Sequence, residues 1–184
     1  MNAGAIAARY AKSLLDYVQE SGGGEAVYAQ TRRLVGMMGS VPLLREVLVR
    51  RKDISHALRM DVIGNALEQK PAPELDRFVA MVEANSRLEF LDRMMWSFIQ
   101  QYHNANNIMV GHLVTAIDAS DLKEKMTAVL KERTGADVRL ELKTDPEIIG
   151  GFVFDMDGKL IDASVSSRLD RLRKELVDSA KRII

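Results

Sequence analysis

The stretch FVFDMDGKLID, residues 152–162, places Asp157-Gly158 between two short apolar runs. This dipeptide favours a type I′ turn, in which both central residues need a positive φ. With a two-residue loop, Phe154 lies opposite Ile161, so the alternation of the two strands stays in register. The stretch therefore predicts a β-hairpin, with Asp157 and Gly158 as its structural turn.

The same letters resemble the nucleophile loop of haloacid-dehalogenase-type phosphatases, in which an apolar strand precedes Asp-x-Asp-Gly. Asp155 and Asp157 have the spacing of the nucleophile and the proton-shuttling carboxylate of those enzymes. Their phosphate- and Mg²⁺-binding partners come from later strands, but only the segment 158–184 follows here, and most of it is patterned as one helix. Lys159 also stands where that superfamily usually has Thr or Val. We therefore expect a hairpin and no phosphotransfer.

Around the hairpin, residues 106–184 are patterned as a small α/β unit. Alternating apolar residues predict strands near 109–116 and 138–142, and a helix capped by Ser120 lies between them. Gly150-Gly151 forms a structural turn ahead of the hairpin. A terminal helix closes the chain, and its apolar positions are Val165, Leu169, Leu172, Leu176, Val177, Ala180 and Ile183.

Residues 1–105 are patterned as six helices, because apolar residues recur at helical spacing between breaks rich in Gly, Ser and Pro. Pro42 and Pro73 suit the first turns of the third and fifth helices. Asp53 is expected to cap the fourth helix, and Ser86 and Glu89 to form a capping box ahead of the sixth. The predicted fold class is therefore α+β overall.

Two domains are predicted within that class. Residues 1–105 form an N-terminal six-helix bundle, and residues 106–184 form a small C-terminal α/β domain with a β-hairpin and a terminal helix. The boundary lies where an all-helical pattern gives way to alternating strands.

The composition excludes several classes of function. Lys plus Arg is 26 and Asp plus Glu is 26, and this zero net charge argues against a nucleic-acid binder. The absence of cysteine excludes disulfides and thiolate chemistry, and His56, His103 and His112 lack metal-ligand spacing. No apolar run approaches the roughly 20 residues needed to cross a bilayer. We expect no cofactor, no metal, no small-molecule substrate and no direct membrane insertion.

Six short motifs follow one another along the chain: RYAKSLL at 9–15, NSRL at 85–88, VTA at 114–116, DPEIIGGF at 145–152, LIDASV at 160–165 and RL at 168–169. Together they resemble the delta subunit of F-type ATP synthases, whose mitochondrial equivalent is the oligomycin-sensitivity-conferring protein. Asp155 and Ser166 depart from the family's pattern, which often has a basic residue at both places. We therefore do not assign to this chain the charged contacts that relatives make at those two positions.

The resemblance implies a non-catalytic subunit of the peripheral stalk, or stator, which stops the catalytic head from turning with the rotor. Proton-driven rotation is thereby coupled to ATP synthesis. It also implies that residues 1–105 bind the N-terminal helix of an alpha subunit, in a groove between the first and fifth helices. The matching groove residues, each of which suits the bundle core equally well, are Tyr10, Ala11, Leu14, Val79, Val82 and Glu83.

By the same resemblance, residues 106–184 contact the C-terminus of the b-subunit stalk. Arg168, Arg171 and Lys174 on the polar face of the terminal helix are the candidates for that contact, although a solvated face explains them as well. The absence of a transit peptide favours a bacterial subunit, held through the complex at the cytoplasmic face of the cell membrane. The alternative from another class is a stand-alone helical adaptor, which the identity of its partners would distinguish.

Overall fold

The computed structural model describes residues 3–51 and 53–181. The chain divides into two compact units, Met1–Ala105 and Asn106–Ile184. Ile183, which the sequence pattern places on the terminal helix, lies outside the described residues.

Over the residues that the structure describes, the first unit is all-helical. Its six α-helices are α1 (Ala3–Ser21), α2 (Gly24–Ser40), α3 (Pro42–Val49), α4 (His56–Leu67), α5 (Pro73–Ala84) and α6 (Leu91–Ala105), with a short 3₁₀ helix at Leu88–Phe90. Pro42 and Pro73 each begin a helix, where the missing N–H of proline costs nothing. The predicted six-helix bundle is confirmed.

The core of the first unit is built on α6, which packs against α1 and α2. Tyr102 of α6 stacks on Tyr28 of α2 with ring centroids 4.7 Å apart, a geometry that adds to the stability gained by burying both rings. The apolar stripe of α6 is buried along its whole length: Leu91, Met94, Met95, Phe98, Ile99 and Tyr102. Helical periodicity thus identifies the face of α6 that forms the core.

The predicted caps in the first unit are wrong. Ser55 is the N-cap of α4, and its hydroxyl accepts the N–H of Leu58 at 3.3 Å. Asp53 instead forms an ion pair with Arg51 in the preceding loop at 2.6 Å. Ser86 has a positive φ of 53°, and the 3₁₀ helix that follows begins without a side-chain cap.

Up to residue 181, the second unit is a four-stranded sheet with two helices. Its elements are β1 (Ile108–Thr115), α7 (Ser120–Thr134), β2 (Asp137–Thr144), β3 (Phe152–Met156), β4 (Lys159–Asp162) and α8 (Val165–Lys181), with a 3₁₀ helix at Pro146–Ile148. The strand order is β2-β1-β3-β4, with β1 parallel to β2 and antiparallel to β3. Ala119 is the N-cap of α7 and makes no side-chain hydrogen bond there, so the prediction of Ser120 as the cap is wrong.

The predicted hairpin is confirmed. Phe154 lies opposite Ile161 in the antiparallel pairing of β3 and β4, and Asp157 and Gly158 have φ values of 52° and 72°. Both values are positive, as a type I′ turn requires. The core of the sheet consists of Leu113, Val138, Leu140 and Phe154, against which α7 packs Leu122, Met126 and Leu130.

The described helices include none with both the length and the apolar character needed to cross a membrane.

Candidate partner-binding surfaces

The predicted groove residues lie where α1 packs against α5, and the structure buries the apolar ones. Ala11, Val79 and Val82 are fully buried, and Leu14 and Tyr10 are 2% and 8% exposed. These five side chains therefore form part of the core of the first unit. Any surface offered to a partner at this place must come from the residues around them.

Two arginines connect α5 and the loop after it to tyrosines of α1. Arg77 donates from Nη1 to the hydroxyl of Tyr17 at 2.5 Å and lies 6.0 Å from the centre of its ring. Arg87 donates to the hydroxyl of Tyr10 at 3.0 Å and lies 5.3 Å from that ring. Tyr10 is buried, Tyr17 is half-buried and Arg77 is exposed. Neither pair has a local sequence signal, because each joins residues far apart in the chain.

Met81 is an exposed large hydrophobic residue on α5, with 37% of its surface accessible. It stands one helical turn after Arg77, and residues four apart lie on the same face of a helix. We call Tyr17, Arg77 and Met81 the α1–α5 rim. A partner helix at this place would meet the rim, and the buried side chains would form the wall behind it.

Glu83, the charged groove candidate, is held by α4. Its Oε1 accepts from Nε of Arg59 and its Oε2 lies close to Nδ1 of His56, both at 2.6 Å. Arg59 is 1% exposed and also donates to the backbone carbonyl of Arg51 at 2.9 Å. A buried arginine needs such partners, since an unpaired buried charge costs several kcal/mol. Glu83 thus joins α5 to α4.

His56 contacts a second carboxylate on α5, because its Nε2 lies 2.6 Å from Oδ1 of Asp76. Burial of the ring disfavours the charged form, but the hydrogen bonds with Asp76 and Glu83 outweigh it. The net effect raises the pKa of His56 above its ordinary value. The sequence did not predict this cluster, since His56 stands 20 positions from Asp76 and 27 from Glu83.

In the second unit, α8 exposes apolar side chains as well as basic ones. Leu169, Leu172 and Leu176 are 51%, 55% and 71% exposed, and Val165 is half-buried. These four positions, which we call the α8 stripe, follow a spacing of four, three and four. That repeat of about 3.5 residues is typical of helices that pair with another helix.

The basic candidates of α8 differ in their distance from the stripe. At 100° per residue, Arg168 borders one side of the stripe, and Arg173 borders the other. Arg171 lies further round, and Lys174 lies on the opposite face. Arg168, Arg171 and Lys174 are all exposed, but of these three only Arg168 borders the α8 stripe on the helix surface.

The beginning of α8 is stabilised by a polar network. Ser164 is buried, and its hydroxyl accepts the N–H of Ser167 at 3.2 Å, which makes it the N-cap. Asp162 accepts from the N–H of Ser164 at 2.9 Å and from the hydroxyl of Ser167 at 2.5 Å. These hydrogen bonds lower the pKa of Asp162 to about 2. The LIDASV motif therefore sets where the α8 stripe begins.

The turn at Gly150-Gly151 packs against the same place. Gly150 accepts the N–H of Val165 at 2.9 Å. Gly151 has a φ of 75°, and a Cβ on it would lie 2.2 Å from the carbonyl oxygen of Ala163. Glycine is therefore required at 151 for the chain to pass this close to the start of α8.

Residues 6–176 match the family model of the ATP synthase delta (OSCP) subunit. The chain is 32% identical to the ATP synthase subunit delta of Phocaeicola vulgatus, over 100% of both proteins. It is 30% identical to that of Bacteroides fragilis, again over 100% of both. The corresponding protein of Lactobacillus delbrueckii subsp. bulgaricus is 30% identical, with 92% of this chain and 94% of the relative covered.

The fold is also similar to that of a chain in the cryo-EM structure of the Toxoplasma gondii mitochondrial ATP synthase hexamer. The TM-score is 0.58 at 22% identity, and the match covers 93% of this chain and 97% of that one. Together with the full-length relatives, the family match shows that this chain belongs to the delta (OSCP) family of ATP synthase subunits, the non-catalytic subunits of the peripheral stalk.

Proposed function

We propose that this stalk subunit joins the catalytic head of an F-type ATP synthase to the membrane-anchored b-subunit, with one surface on each of its two units. Holding the head still while the rotor turns couples proton-driven rotation to ATP synthesis. The observation that carries the proposal is the division into two compact units, each with its own buried core and its own exposed apolar surface. The protein acts at the cytoplasmic face of a bacterial membrane, held there through the complex.

The first unit binds the N-terminal helix of an alpha subunit along the α1–α5 rim. Met81 offers exposed apolar surface there, and Tyr17 offers an aromatic ring whose hydroxyl is already oriented by Arg77. An amphipathic helix binds such a surface by burying its own apolar face. Tyr10, Ala11, Leu14, Val79 and Val82 support the rim from inside, and Glu83 fixes the position of α5.

The second unit binds the C-terminal helix of the b-subunit through the α8 stripe. Three exposed leucines at coiled-coil spacing favour a helical partner, because each can enter a gap between side chains of a facing helix. Arg168 and Arg173 flank the stripe, which favours acidic residues at the edges of the partner's apolar face. Arg171 and Lys174 lie further away and add long-range attraction, which mainly speeds association.

The α8 stripe is tested by comparing Leu172→Gln with Lys174→Gln in the full chain. Both changes introduce the same side chain on an exposed position of the same helix, but only the first removes an apolar contact. Loss of one buried leucine is worth about 1.5–3 kcal/mol, so Leu172→Gln should weaken binding of a soluble b-subunit fragment by at least about tenfold. Lys174→Gln should bind nearly as the parent does.

Isothermal titration calorimetry with the b-subunit fragment measures the affinities of Leu172→Gln and Lys174→Gln. Circular dichroism checks that each variant keeps its helical content, including α8. Unchanged affinity for Leu172→Gln would remove the stripe from the interface. A loss confined to Lys174→Gln would assign the contact to the basic face instead.

A further inference from the structure

We propose that His56 is a proton-operated clamp, which fastens the start of α4 to α5 when its ring carries a proton on each nitrogen and loosens when it does not. Both ring nitrogens lie 2.6 Å from a carboxylate oxygen of α5. Asp76 and Glu83 stand seven positions apart, so they lie on one face of α5, two turns apart, with the imidazole between them. The inference concerns the first unit alone and does not depend on any partner.

The geometry requires the doubly protonated ring. A carboxylate only accepts hydrogen bonds, and a neutral imidazole has a single N–H to donate. With a neutral ring, one of the two contacts at 2.6 Å would bring a nitrogen lone pair against a carboxylate oxygen. Loss of the proton therefore breaks one contact outright and weakens the attraction in the other.

Other charged groups near the ring keep the rest of the site in place. Arg59 of α4 holds the second oxygen of Glu83 at 2.6 Å and is buried. In the loop before α4, Arg51 and Asp53 are paired with each other at 2.6 Å. Glu83 thus keeps Arg59 as a partner whether or not His56 is charged, whereas the contact to Asp76 depends on His56. We expect a local release of the first turn of α4, with the bundle intact.

The direction of the pH dependence follows from the raised pKa of His56. A group whose pKa is higher in the folded state contributes its stabilisation fully below its unfolded value, which is about 6.5 for histidine. The contribution is lost as the pH rises through the folded pKa. The clamp is therefore closed in mildly acidic solution and opens towards alkaline pH.

Proton NMR of the imidazole signals of the full chain tests the protonation. His56 should titrate above 6.5, and Asp76→Asn, which removes one charged acceptor, should shift its titration to lower pH. The signal of His112, whose side chain is 59% exposed, is recorded in the same spectra as the internal reference. Titration of His56 at or below 6.5, or no response to Asp76→Asn, would overturn the clamp.

Hydrogen exchange of the α4 amides tests the mechanical consequence. Comparison of the full chain with His56→Gln at the same pH cancels the intrinsic dependence of exchange on pH. At pH 6 the parent should protect the start of α4 several-fold better than the variant, and at pH 9 this difference should be much smaller, because the neutral ring keeps at most one of its two contacts. Asp76→Asn, at a half-exposed side chain, gives the same comparison if His56→Gln does not fold. If the difference in amide protection between the parent and the variant were equal at both pH values, the contact would not depend on protonation of His56, and the clamp would be refuted.

Discussion

At the scale of single residues, two glycines of the second unit have the same left-handed backbone in different surroundings. Gly151 has a φ of 75° and Gly158 a φ of 72°. A Cβ on Gly158 would meet no atom within 4 Å, whereas one on Gly151 would lie 2.2 Å from the carbonyl oxygen of Ala163. The pair therefore separates the cost of backbone strain from the cost of a steric clash.

We predict that Gly158→Ala lowers the stability of the second unit by about 1–2 kcal/mol, the usual cost of a left-handed residue with a Cβ. Gly151→Ala should cost several times more, because the backbone at Ala163 must move away. Urea unfolding of the full chain, followed by circular dichroism, measures both. Trp96 lies in the first unit, so its fluorescence reports the unfolding of that unit. The urea midpoint that it gives should be the same for the parent, Gly158→Ala and Gly151→Ala. Equal losses for the two variants would contradict the close approach at Gly151.

These two glycines also show what the sequence can predict at this scale. The turn at Asp157-Gly158 is a local signal, because the two residues that form the turn stand next to each other. The need for glycine at 151 comes from Ala163, twelve positions away, and only the folded chain shows it. The same holds for Arg59, whose burial depends on Glu83 and on the carbonyl of Arg51.

At the scale of elements, periodicity located the helices well and their ends poorly. Six helices and the hairpin follow the predicted pattern, since burial of an apolar face governs a whole element. A cap depends on one side chain, and a nearby group can compete for it. In α4 the carboxylate of Asp53 is paired with Arg51, and Ser55, two positions later, provides the cap.

The N-cap of α8 leads to the prediction for this scale. Ser164→Ala should destabilise α8 by about 1 kcal/mol, within the usual range of about 0.5–2 for the loss of a capping hydroxyl. Ser120→Ala is the matched control, because the hydroxyl of Ser120 bonds to the side chain of Asp118 and Ala119 holds the cap position of α7. It should change stability by less than about 0.5 kcal/mol.

Hydrogen exchange of the α7 and α8 amides at neutral pH measures the two effects separately. At neutral pH Asp162 is ionised and accepts its hydrogen bonds from Ser164 and Ser167, because its pKa is lowered to about 2. Its contribution to the stability of the folded state is complete above the pKa of the unfolded chain, which is about 3.9. That contribution disappears only as the pH falls through about 2. Equal protection of α8 in the parent and in Ser164→Ala would mean that the cap does not hold this helix.

The exposed stripe of α8 marks the limit of prediction for an element. Helical spacing of Leu169, Leu172 and Leu176 predicts an amphipathic helix, but the same spacing serves a helix packed on its own sheet. The structure leaves these three side chains more than half exposed. Sequence alone therefore directed attention to the basic face of α8, and the apolar face became the candidate only in the folded chain.

At the scale of the whole molecule, the two units differ in how well their candidate partner-binding surfaces could be predicted from the sequence. In the first unit, groove and core residues are both apolar and both recur at helical spacing. Tyr10, Leu14 and Val79 are buried, and the rim that surrounds them, with Tyr17, Arg77 and Met81, had no distinguishing pattern. Family membership is what the sequence established best, because its motifs run through the whole chain in order.

The last prediction separates the two units. A fragment of residues 1–105 should fold and bind a peptide of the alpha-subunit N-terminus, since the α6 stripe that forms its core is buried within α1 to α6. It should fail to couple the head to the stalk, because it lacks the α8 stripe. Circular dichroism and Trp96 fluorescence test folding, and titration with the peptide tests binding.

Coupling is measured as proton-driven ATP synthesis by membranes depleted of the native subunit and reconstituted with each protein. The full chain should restore synthesis, whereas residues 1–105, residues 106–184 and an equal mixture of the two should not. The mixture is the informative control, because it supplies both binding surfaces without the covalent link that transmits torque between them. Synthesis restored by residues 1–105 alone would refute the division of labour, and an unfolded fragment would show that the first unit needs the second for its stability.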